Sequence, residues 1–240
     1  MRCPDDHHSD RRQGAGSWPG EDQAGTGPTP HEAAALAAAA LLDTLDAALS
    51  VPKAQVVVAM TGSLVDAPAG RQIAVALRGC RVIGQRGSTF GERLAHAHVD
   101  AAGPLGSVLQ IGMDTPPVTP ELLRQGICAL QQGVDAALGP AVDGGWWALA
   151  LRHARHARVL THVAMSTWHT FRDTASALSA AELVISPLPT LVDVDTVVDA
   201  VEVAHSAPGT RFGELAALLL GSRPGVSVPA LTAALSGSLR

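Results

Sequence analysis

Apolar positions recur along this chain with two spacings. Leu41, Leu45 and Leu49 fall four apart, with Leu36 and Leu42 nearby. That period predicts a helix over 30–49 packed on a sheet. Thr29-Pro30-His31-Glu32 leads into it. The threonine suits a cap, the proline the first helical position, and the glutamate closes a capping box. Short apolar runs then alternate with helical patterns. Strands are predicted at 55–59, 82–84, 107–113, 136–139, 147–151 and 183–186, the run SVLQIGM at 107–113 being the clearest. Helices are predicted at 70–77, 91–101, 119–132, 170–180 and 196–205, with terminal helices at 211–220 and 229–236. Alternation of this kind, with nearly continuous apolar strands, predicts an α/β fold with a parallel sheet covered on both faces.

Residues 1–29 break the pattern. They are rich in glycine and proline, carry mixed charges and contain no apolar run. Such a segment buries too little surface to offset its ordering entropy, so disorder is expected there. The chain is thus read as a disordered segment, 1–29, followed by one α/β domain, 30–240, with C-terminal helices within 211–236.

Composition narrows the function classes. With 240 residues, 47% of them hydrophobic, the chain can build a core without staples. The net charge of −5 comes with no basic stripe, which argues against a nucleic-acid partner. No apolar run reaches the ~18–20 residues that a membrane span needs. Cys3, Cys80 and Cys128 are odd in number and widely spaced. They form neither a disulfide framework nor a zinc site, and a cytoplasmic location is expected. There is no nucleophile elbow, no Walker loop and no GxGxxG, so a dinucleotide-dependent oxidoreductase finds no support.

In open α/β sheets ligands bind beyond the carboxyl ends of the strands. Asp114 follows the strand that ends Ile111-Gly112-Met113. A carboxylate there can hold a hard cation against a phosphate, although Asp-Thr-Pro-Pro is also turn chemistry, the simpler reading from local sequence. Asp143-Gly144-Gly145 follows the strand at 136–139. The glycines allow close approach of a ligand, or the run is an ordinary turn between two strands. Of the adjacent Trp146 and Trp147, one ring suits the core and the other could face a base or sugar ring. Asp193 and Asp195 point the same way if their segment is extended, as a cation site requires. Alternatively Asp195 or Thr196 caps the next helix. In Gln85–Leu94, Arg86 or Arg93 could meet a phosphate at a helix start, or Glu92 is a first-turn acid and Arg93 a solvated surface residue. His153 and His156 sit among arginines and read as a basic helix end. His96 and His98 do not share a helix face.

Four segments occur in one order: QRGSTFGERL at 85–94, IGMDTPPVTPELL at 111–123, LGPAVDGGWW at 138–147 and LPTLVDVDTVVD at 188–199. Together they resemble a bacterial family of uncharacterised transferases with a glycosyltransferase-A-type nucleotide-binding fold. That family is itself similar to the guanylyltransferases of molybdopterin and deazaflavin cofactor synthesis. Residues 163–167 (VAMST) also resemble a family segment, and the match covers about 29–205. The resemblance implies a three-layer αβα Rossmann-like sandwich. It also implies a Mg²⁺- or Mn²⁺-dependent nucleotidyl- or glycosyltransferase, acting on a nucleoside triphosphate or nucleotide-sugar and a small-molecule acceptor. Asp114, Asp143 and Asp195 would be catalytic, and Asp114, Asp193 and Asp195 would hold the metal. Gln85, Gly91 and Arg93 would border the nucleotide, and Gly144 and Gly145, with Asp143, the acceptor or sugar. The family also implies an apolar first strand and a glycine- and lysine/arginine-bearing phosphate loop ahead of Thr29, where residues 1–30 carry neither. A start further upstream, another segment filling the gap, or a non-catalytic homologue acting as a binding or scaffold protein are the explanations that remain.

Overall fold

The computed structural model describes residues 27–65 and 67–220. The expected disorder of 1–29 falls almost wholly outside the described residues, as does the helix expected at 229–236. Helix α1, Pro30–Leu49, begins as predicted. The Thr29 hydroxyl accepts the Glu32 N–H, and the Glu32 carboxylate accepts the Thr29 N–H at 2.7 Å. Its partners differ from those expected. Leu36, Ala39 and Ala40 pack with Ala200, Val203, Phe212 and Ala216 of two later helices, while Leu49 is 39% exposed. Only the last turn, through Ala47, reaches the core beside the sheet. An alanine-rich helix has a slim surface on which other helices approach closely, so helices rather than strands cover most of it.

The strands are β1 (Val57–Met60), β2 (Arg81–Gly84), β3 (Val108–Ile111), β4 (Ala136–Pro140), β5 (Trp146–Leu151) and β6 (Ile185–Pro187). They form two sheets. β1 and β2 are parallel, and the other has the order β3-β5-β4-β6. The second sheet is mixed: β5 runs antiparallel to β3 and β4, and β4 parallel to β6. This corrects the all-parallel expectation. Five residues link β4 to β5, and a link that short can only reverse the chain, whereas a parallel crossover needs a dozen or more residues. Among the described residues β1 pairs only with β2, and β3 only with β5. Among the described residues the strands thus fall into two separate sheets.

Helices α2 (Gly70–Ala76), α3 (Phe90–Ala102), α4 (Pro120–Gln131), α5 (Thr170–Ala180), α6 (Val197–Ser206) and α7 (Arg211–Leu220) complete the fold. α3 touches both β2 and β3, and so spans the two sheets. Its other side lies against a 3-10 stretch, Ala154–His162. Gly91 makes this close packing possible, since a Cβ there would collide with the Leu160 carbonyl oxygen. Arg211 fastens α7 to α1 through Asp43 and Asp46, at 3.2 and 2.6 Å.

His98 of α3 is 1% exposed, a burial that the helical spacing of His96 and His98 did not reveal. Its Nδ1 lies 2.8 Å from the Leu94 carbonyl oxygen, so Nδ1 carries the proton. Its Nε2 has no partner. Burial drives its pKa down to about 4. The folded state therefore resists a proton that the unfolded chain accepts below about pH 6.5. Stability is full above that value and is lost as pH falls towards 4, by about 3 kcal/mol in total. A His98→Leu variant should lose less stability than the wild type between pH 7 and 4.5 in urea unfolding. Equal losses would remove His98 as the cause.

Candidate functional site

The site forms where β3, β4 and the segment after β6 end together. Beyond β3, the Gly112 N–H donates to the Trp147 carbonyl at 3.3 Å. The Asp114 side chain folds back over Gly112, so closely that a Cβ at Gly112 would collide with its carboxylate. The Asp114 carbonyl accepts the Val194 N–H at 2.9 Å, which ties this loop to the irregular run through 193–195.

That run is held in place from the other side. The Leu191 N–H donates to the Pro140 carbonyl, and the Val142 N–H donates to the Leu191 carbonyl, both at 3.1 Å. Asp143 sits at the tip of the β4–β5 turn, where its carboxylate accepts the Gly145 N–H at 2.6 Å. Gly144 has φ +94°. A Cβ there would also strike the Trp168 carbonyl, so this turn requires glycine on two counts. Thr196, not Asp195, caps α6, in a box closed by Asp199. The Asp195 carboxylate is thereby left out of the cap.

These contacts bring carboxylate oxygens of Asp143, Asp193 and Asp195 within 4.8 Å of one another. Asp114 stands outside that radius but shares the field. Burial, and then the charges of Asp143, Asp195 and Asp114, push the Asp193 carboxyl up to about 7. Burial, then Asp143 and Asp114, raise the Asp195 carboxyl. Burial and then Asp143 raise that of Asp114. Carboxylates crowded so that their charges oppose one another are a donor set for a hard divalent cation, which takes oxygen ligands.

The remaining predicted residues lie outside this cluster and make contacts of their own. Gln85 follows β2 and donates through Nε2 to the Ala59 carbonyl at 3.0 Å. Arg93 has its guanidinium 5.5 Å from the Phe90 ring centroid. Arg86 forms a two-point pair with Asp100, at 2.7 and 2.9 Å. The start of α3 is closed by its own Glu92, whose carboxylate accepts the Ser88 and Thr89 N–H groups. An anion at that helix start would have to displace a carboxylate already bonded there. Of the tryptophan pair, Trp147 is the core ring, and its Nε1 donates to the Pro189 carbonyl at 2.9 Å. Trp146 packs against the core cluster that contains Leu138 and Leu149. The exposed tryptophan is Trp168, whose backbone lies against Gly144 and which periodicity had no means of marking.

The α/β fold, with acidic loops at its strand ends, is of the nucleotide-diphospho-sugar-transferase type. The chain belongs to a bacterial family of conserved uncharacterised proteins, DUF2064, whose family model matches residues 44–167. Its fold is similar to the 1.90 Å crystal structure of a protein from Desulfovibrio desulfuricans G20, provisionally named a nucleotide-diphospho-sugar transferase. The two are 25% identical with a TM-score of 0.66, over 77% of this chain and 81% of the other. A weaker likeness joins it to a CMP:2-keto-3-deoxy-manno-octonic acid synthetase complexed with CTP. There the identity is 14% and the TM-score 0.49, over 71% of this chain and 88% of that one. No curated protein matches the chain.

Proposed function

We propose that this chain is a divalent-cation-dependent transferase that moves a nucleotidyl or sugar unit from a nucleoside triphosphate or nucleotide-sugar to a small-molecule acceptor. One observation carries the reading: Asp143, Asp193 and Asp195 converge within 4.8 Å at the strand ends of the fold. The donor set fits Mg²⁺ or Mn²⁺, being all oxygen and rich in negative charge. Asp143, Asp193 and Asp195 would hold the ion, with Asp114 beside them. Once bound, such a cation supplies charge neutralisation at a phosphate. The chain's own part is to hold the carboxylates together. The β4–β5 turn fixes Asp143 by its Gly145 hydrogen bond, and the 191–194 run is pinned to Pro140 and Asp114.

Mn²⁺ titration followed by electron paramagnetic resonance tests the reading directly. Wild type should bind the ion saturably, and Asp195→Asn should weaken binding by roughly tenfold or more, at least the loss seen when outer-shell partners are removed. Thermal unfolding with nucleoside triphosphates and nucleotide-sugars, with and without Mg²⁺, extends the test. A ligand at ~100 times its Kd adds ~2.7 kcal/mol, a rise of roughly 5–10 °C for a domain of this size. Absence of both Mn²⁺ binding and any nucleotide shift would overturn the transferase reading. The divided sheet and the self-capped start of α3 favour a second reading, a homologue that binds without catalysis. Mn²⁺ binding with no nucleotide shift would be its signature.

A further inference from the structure

The turn that presents Trp168 is built more elaborately than a connector between the 3-10 stretch and α5 requires. Ser166 adopts φ +58°, a left-handed conformation that costs a non-glycine residue free energy and persists only where surrounding contacts enforce it. Thr170, itself buried, supplies those contacts. Its hydroxyl donates to the Ala164 carbonyl and accepts the Thr167 N–H, each at 3.0 Å. The turn is fastened to the acidic site as well. The Phe171 N–H donates to the Gly144 carbonyl at 2.8 Å, and Gly144 lies directly under the Trp168 backbone. A strained and doubly anchored turn thus roots Trp168 one residue from Asp143. Yet Trp168 is 75% exposed. The Arg172 guanidinium stands 5.7 Å from its centroid, and the His169 ring meets it edge-on at 5.2 Å. Met113 and Val142, the chain neighbours of Asp114 and Asp143, are exposed too. Single exposed apolar residues need no explanation. An exposed tryptophan whose backbone is packed on Gly144, next to Asp143, and whose turn is held in a strained conformation is a different case.

We infer that Trp168 is the stacking platform for the second substrate of this site, and that this substrate is a hydroxyl-bearing sugar ring. An indole face left open to solvent packs against the C–H face of a sugar. The carboxylates of the site, once ionised around a cation, only accept hydrogen bonds, which matches hydroxyl donors. A nucleobase edge offers both donors and acceptors. Here the cation beside the ring, Arg172, is engaged by Asp173 at 3.1 Å. The identification of this sugar as the acceptor or donor rests on the transferase reading above; the ring contact does not.

The test is saturation-transfer NMR on the full chain with Mg²⁺, using methyl α-D-glucopyranoside, methyl α-D-mannopyranoside and methyl β-D-galactopyranoside, with adenosine and cytidine as the nucleobase arm. Mn²⁺ affinity is measured on the same proteins. At least one glycoside should bind saturably to wild type. Trp168→Ala should weaken it by about tenfold, Trp168→Phe by less, and neither should change Mn²⁺ affinity by more than about twofold. Glycoside affinity unchanged in Trp168→Ala, no glycoside binding to wild type, or nucleoside binding in place of glycosides would each overturn the inference. Trp168-dependent glycoside binding in a protein that fails to bind Mn²⁺ would sustain the platform and overturn the metal reading alone.

Discussion

Replacing Trp147 with alanine should destabilise the chain by about 3–5 kcal/mol, the usual loss for a large aromatic removed from a core. Against a typical total of ~5–15 kcal/mol, that leaves the variant near the edge of folding. Three features put Trp147 at the upper end. It is 1% exposed and packs among Val118, Leu123, Ala137 and Leu188. Its ring fills the space over Gly139, where a Cβ would collide with the indole nitrogen, so the cavity has a rigid backbone wall that cannot collapse inward. Its Nε1 also satisfies the Pro189 carbonyl, which truncation would leave without that donor. Pro189 opens the run that carries Asp193 and Asp195, so the same variant should lose Mn²⁺ affinity. Urea unfolding followed by circular dichroism measures the loss. A value under about 1 kcal/mol would mean that the core closes over the gap and that Gly139 is not the wall described here.

Trp147 also shows what the sequence could and could not disclose. One ring of the Trp146-Trp147 pair was expected in the core, and local apolar runs located every strand within a few residues. The capping boxes at Thr29 and Thr196 are readable because their chemistry lies within four residues. Strand direction was harder. Hydrophobic runs report burial, not direction, and the alternating pattern suggested a parallel sheet throughout. The turn reading of Asp143-Gly144-Gly145 already implied a reversal, and that local evidence, not the global pattern, agrees with the antiparallel β5.

The site was legible as a set of residues but not as a place. Asp143 and Asp193 lie fifty positions apart, and they meet through backbone bonds of Leu191 to Pro140 and Val142 and of Val194 to Asp114. Those are backbone contacts, and no side-chain pattern announces them. Trp168 was hidden for a similar reason. Its significance lies in the positive φ of Ser166, the glycine fit at 144 and the exposure of a tryptophan whose backbone packs on another loop.

Asp143→Asn should reverse its effect on stability according to whether a divalent cation is present. The charge of Asp143 raises the carboxyls of Asp114, Asp193 and Asp195. With Asp193 at about 7 in the folded chain against an ordinary 3.8, the folded state keeps a proton that the unfolded chain has released. Wild-type stability without metal therefore falls through this group as pH rises from about 4 to 7, and levels off above 7. Asparagine keeps the oxygen that accepts the Gly145 N–H but removes the opposing charge. The fall shrinks, and at pH 8 in EDTA the variant should be more stable than wild type by about 1 kcal/mol, once solvent screening of a partly exposed group is allowed for. Below pH 4 the two should coincide, and the acid loss assigned to His98 cancels in the comparison. Saturating Mg²⁺ should invert the order. Wild type gains the binding free energy, while the variant, with ~100-fold weaker affinity, gains little. Residues placed for binding at a cost in stability give this crossing. A variant less stable than wild type in EDTA at pH 8 would show instead that Asp143 serves the turn, and that the repulsion among these carboxylates is weaker than their crowding implies.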